Sequence, residues 1–180
     1  MDRLTTIKAA VCTAAAALTL GTIGALGAIL TVMAEDPGVR VPVIMYHAVM
    51  DDASRLGKYV ISPEELESDF KWLSENGYTA ILSEDLINYT ENGAALPEKP
   101  ILLTFDDGYY NNYLYAYPTA KRYGMKFVLS PIGKYADLYT ETPDKSPYYA
   151  HCTWDMLREM QSSGVVEIAN HTYDLHSSDG

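Results

Sequence analysis

Two short stretches hold residue types that can do hydrolytic chemistry. The first is Thr104-Phe105-Asp106-Asp107-Gly108, directly after the apolar run Pro100–Leu103. Carboxylates beside a core are costly unless they are paired or used. The second is Asn170-His171-Thr172-Tyr173-Asp174-Leu175-His176, after the strand-like run Val165–Ala169. Two histidines spaced like His171 and His176 stand about 140° apart on a helix. In an extended chain about 16 Å separates them. Neither arrangement lets them share an ion, whereas a turn at a strand end does. Asp107, His171 and His176 then make a two-His, one-carboxylate site with open positions, suited to a divalent first-row ion. Such an ion lowers the pKa of its water to about 7 and polarises a carbonyl. The adjacent Asp106 takes the proton of that water as general base. One carboxylate binds, the other works, and Gly108 lets the backbone turn sharply past them.

Each cluster also has a plainer reading. An Asp pair before Gly serves as a solvated turn or a helix cap, and His171 and His176 could be surface residues. Asp174 is either a rival ligand or a turn former. The two clusters gain weight from lying at corresponding places in the chain, each just past a strand.

The elements that must position these residues alternate. Val41–Tyr46 reads as a strand. Ser62-Pro63-Glu64-Glu65 opens a helix with an N-cap, a first-turn Pro and a capping-box Glu. Leu66, Phe70 and Leu73 repeat at helical spacing, and Gly77 stops the helix. Tyr78–Leu82 is a strand, and a helix runs from Ser83-Glu84-Asp85 to Asn92-Gly93. Ile101–Phe105 is a strand, Asn112–Tyr123 a helix and Lys126–Ser130 a strand. Ala136–Ala150 reads as an irregular loop. Thr153 caps a helix through Ser163, and Val165–Ala169 is the last strand. Strand–helix alternation at this spacing gives parallel βα units. Active sites of such folds collect at the C-terminal ends of the strands, where His47, Asp106, Asp107 and His171 all fall.

The chain has 180 residues and a net charge of −11, enough for one domain with a real core. The acidic balance argues against nucleic acid as a partner and leaves a neutral sugar polymer open. Tyrosine is abundant at 15 residues against 3 phenylalanines, and tyrosines suit polar ligands that stack or hydrogen-bond. Cys152 is the one thiol outside the N-terminal apolar stretch, so a disulfide framework is not expected. Arg3 and Lys8 precede an uncharged stretch, Ala9–Ala34, closed by Glu35 and Asp36. This is the layout of an export signal, and the stretch is also long enough to span a bilayer as an apolar helix. The charge order puts the start in the cytoplasm and the remainder outside. The expected organisation is a signal sequence or membrane anchor over 1–34 and a catalytic domain over 35–180.

Thr104–Gly108 and His171–His176 resemble the motifs of polysaccharide deacetylases of the NodB-homology type, carbohydrate esterase family 4. The usual histidine spacing there is one shorter, and Leu175 stands at that place. The longer spacing resembles the branch that deacetylates poly-β-1,6-N-acetylglucosamine. Pro42–Val49, "PVIMYHAV", and Leu96–Tyr109, "LPEKPILLTFDDGY", resemble that branch too, and the likeness covers about residues 40–180. It implies Asp106 as the base and Asp107, His171 and His176 as ligands of a divalent metal, with Zn²⁺ first and Co²⁺, Ni²⁺ or Fe²⁺ open. His47 and Tyr109 are carried over as substrate-binding residues near the cleft. The implied fold is α/β, a distorted (β/α)7 barrel. The implied reaction is hydrolysis of N-acetyl groups from an extracellular N-acetylhexosamine polysaccharide, either poly-N-acetylglucosamine or peptidoglycan. The family's later segments, including its general-acid His, fall beyond Gly180, so an incomplete, open barrel is expected. Two alternatives remain at this stage: an O-acetyl esterase acting on xylan, and a glycan-binding remnant without turnover.

Overall fold

A computed structural model describes residues 38–175 of the chain. The expected apolar helix over 9–34 and the ligand His176 lie outside the described residues. In chain order the elements are β1 (Val43–Tyr46), β2 (Ala48–Val49), β3 (Val60–Ile61), α1 (Pro63–Glu75), β4 (Thr79–Ile81), α2 (Ser83–Asn92), β5 (Pro100–Asp107), α3 (Tyr117–Tyr123), β6 (Phe127–Pro131), α4 (Gly133–Glu141), α5 (Trp154–Ser162) and β7 (Val166–Ile168). A wide π turn, Asn112–Ala116, leads into α3.

Local chemistry accounts for most of these boundaries. The Ser62 hydroxyl accepts the Glu65 N–H at 3.1 Å and starts α1 behind Pro63. The Asp85 carboxylate accepts the Leu82 N–H at 2.8 Å, tying down the entry to α2. Gly93 and Gly124 end α2 and α3 in the left-handed conformation. Helix α1 turns Leu66, Phe70 and Leu73 inward. On β5 the alternate residues Ile101, Leu103 and Phe105 are buried, as a strand's two-residue period requires.

Strand β5 organises the sheet. β1, β4 and β6 all pair with it, and β7 pairs with β6, every pair parallel. The fold is therefore α/β with a parallel sheet. Among the described residues the sheet stays open: β1 and β7 each have one neighbour. Phe105 stacks on Tyr46 at 5.0 Å and packs against Phe127 at 4.7 Å, and Tyr46 meets Phe70 edge-on at 6.2 Å. These rings lie directly beneath the end of β5 that carries the carboxylates. The Tyr46 hydroxyl donates to the Asp69 carboxylate at 3.0 Å; burial first, then that carboxylate, raise its pKa.

One sequence expectation needs correction, and one small element was not foreseen. Ala136–Ala150 is not all loop, because α4 occupies Gly133–Glu141. Only Ala136 of that helix is buried, and the residue before it offers no capping side chain, so neither an apolar period nor a start signal marks it in the sequence. The small parallel pair of β2 with β3 is too short to leave a pattern.

Truncating Phe127, which is fully buried, should cost about 3–5 kcal/mol. Ile87→Ala, at a half-exposed position on α2, should stay within about 0.5 kcal/mol. Urea unfolding of both variants measures this as a shift in midpoint at constant slope. A loss under about 1 kcal/mol for Phe127→Ala would contradict the central packing described.

Candidate active site

The end of β5 does not run straight. The Gly108 N–H donates to the Asp106 carbonyl two residues back at 2.9 Å, and Asp107 between them has φ 69°. That is a γ-turn of the rarer, strained hand. Gly108 follows with φ 72°, and a Cβ there would lie 2.6 Å from Pro131 Cβ and 2.8 Å from Pro131 Cα. No side chain fits, so glycine is required by both space and torsion. Other bonds hold the turn. The Asp107 carbonyl accepts from Ile132 N–H at 3.3 Å and from the His151 ring at 3.0 Å.

The turn separates the two carboxylates. Asp106 Oδ2 lies 3.8 Å from His47 Nε2, both side chains 18% exposed. Asp107 is buried, and its Oδ1 lies 3.5 Å from His171 Nε2. His47 leaves the C-terminal end of β1, while His171 follows β7 and is fixed by its N–H bond to the Pro131 carbonyl at 3.1 Å. Thr172 and Tyr173 then hand their carbonyls to Gly133 and Lys134 at the start of α4. Asp174, the possible rival ligand, instead pairs on the surface with Lys134 at 2.9 Å.

The donor types and spacing at Asp107 and His171 fit a divalent first-row cation. Two ligands each about 2.0–2.1 Å from a tetrahedral ion stand about 3.3 Å apart, close to the separation between these atoms. Among the described residues no group of three or more His, Cys, Asp or Glu side chains could hold a metal. The third expected ligand, His176, is outside them.

Tyr109 and the segment Ala150–Cys152 form the floor beside the turn. Tyr110 N–H donates to the Ala150 carbonyl at 2.7 Å, and Cys152 N–H to the Gly108 carbonyl at 2.8 Å. His151 is buried between Tyr109 and Tyr135, with ring centroids at 4.6 and 4.5 Å. Burial lowers its pKa. A carbonyl only accepts, so His151 Nδ1 carries the proton that it donates to Asp107. The Tyr109 hydroxyl is pushed up to about 12, by burial and then by the Asp107 carboxylate. Two cavities meet here. One, of about 370 Å³, is lined by Asp107, Tyr109, Ile132, Tyr135, Tyr139, Tyr148, Tyr149 and His151. The other, of about 530 Å³, is lined by His47, Tyr59, Asp107, Tyr109 and Tyr148 with apolar neighbours.

The structure thus brings His47, Asp106, Asp107, Tyr109 and His171 to one sheet end. Sequence reasoning missed His151, Tyr135 and the buried pair Asn111 and Asn112. The only local signal for that pair was its position just after the Asp-Asp-Gly motif. Cys152 is a buried free thiol.

The chain has relatives among known proteins and solved structures. Residues 93–179 match the family model described as polysaccharide deacetylase. Poly-beta-1,6-N-acetyl-D-glucosamine N-deacetylase of Escherichia coli (strain K12) is 32% identical over 140 residues, covering 74% of this chain and 20% of the relative. A de-N-acetylase from Aggregatibacter actinomycetemcomitans superposes with TM-score 0.66 at 37% identity, over 76% of this chain and 56% of that one. IcaB from Ammonifex degensii does so with TM-score 0.64 at 29% identity, over 79% and 57%. The chain belongs to the polysaccharide deacetylase family, of the NodB-homology type. It spans about a fifth of the E. coli relative's length and over half of each of the two solved chains.

Burial pushes the Cys152 thiol up to about 12. The unfolded thiol ionises near 8.5, so the folded state keeps a proton that the unfolded state loses. This contribution to stability is full below about pH 8.5 and falls as pH rises through that value. Urea midpoints should therefore drop more steeply between pH 8 and 10 for the parent than for Cys152→Ala. Equal slopes would contradict the buried, protonated thiol.

Proposed function

We propose that this protein hydrolyses N-acetyl groups from N-acetylhexosamine residues of an extracellular polysaccharide, with a poly-β-1,6-N-acetylglucosamine as the preferred polymer. The observation that carries the reading is the split of the Asp pair, one carboxylate facing His47 and its neighbour facing His171. Amide hydrolysis needs a base to take a proton from water and an acid to give one to the leaving amine. Asp106, partly exposed at the cleft, takes the water proton. His47, with Nε2 3.8 Å from Asp106, would protonate the amine. Sequence reasoning found no general acid in this chain, and the fold supplies this candidate by bringing the end of β1 beside the end of β5.

Asp107 and His171, with His176, would hold the divalent cation, and Zn²⁺, Co²⁺, Ni²⁺ and Fe²⁺ all suit such ligands. When bound, the ion supplies Lewis acidity to the acetyl carbonyl and makes water easier to deprotonate. Tyr109 and the half-exposed Tyr59, Tyr148 and Tyr149 offer ring faces and hydroxyls to sugar rings. Residues 1–34 would export the domain as a cleaved signal or hold it at the membrane, which puts an acidic domain against a polymer too large to enter the cell.

Acetate release from N-acetylglucosamine oligomers by the full-length protein tests the roles. Asp106→Asn should lower kcat by about 10²–10⁴-fold, the usual share of a general base, and His47→Gln should lower it within the same range. Intact cells should act on added polymer. An Asp106→Asn enzyme of normal rate would overturn the assigned base.

A further inference from the structure

We propose that Asn112, braced by Asn111, is a positioning residue for the reaction: it holds the His47 peptide so that the imidazole faces Asp106. The inference rests on the acid–base reading of His47 and Asp106 given above. His47 lies in the junction between β1 and β2, and among the described residues its ring makes no hydrogen bond as short as the one its backbone carbonyl accepts. Its Nε2 is 3.8 Å from Asp106, and its ring only tilts against Tyr59 at 4.9 Å. What fixes the residue is its backbone carbonyl. Asn112 Nδ2 donates to that carbonyl at 2.7 Å. The same amide group reaches Asn111 Oδ1 at 3.4 Å. Asn111 in turn accepts the Val49 N–H at 3.0 Å and donates to the Pro147 carbonyl at 2.9 Å. Both asparagines are fully buried.

The pair thus ties the π turn just past the Asp106–Gly108 motif to β2 beside His47 and to the loop before Tyr148. The amide of Asn112 can take only one orientation. Flipped, its oxygen would face the His47 carbonyl and the Asn111 oxygen, two acceptors. In the orientation present, Asn112 Oδ1 is buried and makes no hydrogen bond among the described residues. An apolar side chain of similar size would leave the His47 carbonyl without this donor, so the amide fixes where that carbonyl sits. Misplacing a reacting group by about 1 Å can cost about 10²-fold in rate.

The test is a double-mutant cycle on acetate release by the full-length protein, with folding checked by near-UV circular dichroism. Asn112→Leu should lower kcat by about 10–100-fold with KM within about threefold. Asn112→Ser, which keeps a shorter donor, should recover part of that loss. In a His47→Gln background Asn112→Leu should cost less than about threefold, because its partner is already gone. If Asn112→Leu does not fold, the same cycle with Asn112→Ser carries the test at smaller amplitude. A His47→Gln enzyme that is impaired and still loses the whole Asn112 factor would overturn the positioning role alone. A His47→Gln enzyme of parental rate would overturn the acid–base reading and the positioning role together.

Discussion

The arrangement depends on one strained turn. A strand sends neighbouring side chains to opposite faces, so an Asp pair inside β5 would put one carboxylate in the core. The γ-turn centred on Asp107, the last residue of β5, ends the strand at the second carboxylate, which is buried and faces His171. Asp106 stays at the cleft and Asp107 swings toward the end of β7. A positive φ at a residue other than glycine costs about 1–3 kcal/mol and persists only where the surroundings enforce it. Here they do: Gly108 lies flat against Pro131, and Ile132 and His151 both bond the Asp107 carbonyl. The aromatic packing of Phe105 on Tyr46 and Phe127 makes the base on which this turn is built.

Much of this was legible in the sequence because the signals are local. Ser62-Pro63, Gly77, Gly93 and Gly124 mark helix ends by backbone chemistry that needs no tertiary partner. The run into Asp106-Asp107-Gly108 shows a buried strand that stops at a carboxylate pair, and parallel βα order places every such stop on one side. From these features alone His47, the Asp pair and His171 fall at the C-terminal end of the sheet's strands, which is where the fold has them.

The rest was not legible because it depends on contacts between distant segments. Nothing around His151 announces that it will bond a carbonyl 44 residues away or lie between two tyrosines. The Asn111–Asn112 pair looks like a polar turn until the fold brings the His47 junction and the Pro147 loop against it. Helix α4 was hidden because it buries a single side chain, so its sequence carries no apolar stripe. In each case the information lies in what packs against the segment rather than in the segment itself.

The central claim is a division of labour: Asp107 binds the ion and Asp106 works on water. Equilibrium binding of Zn²⁺ to the folded, metal-stripped protein separates the two roles without reference to turnover. Outer partners of metal ligands already change affinity by about 10–100-fold, so loss of a ligand should do at least as much. Asp107→Asn and His171→Ala should each weaken binding by more than about tenfold, while Asp106→Asn should bind within about threefold of the parent. Asp106→Asn losing as much affinity as Asp107→Asn, or Asp107→Asn losing none, would contradict the account.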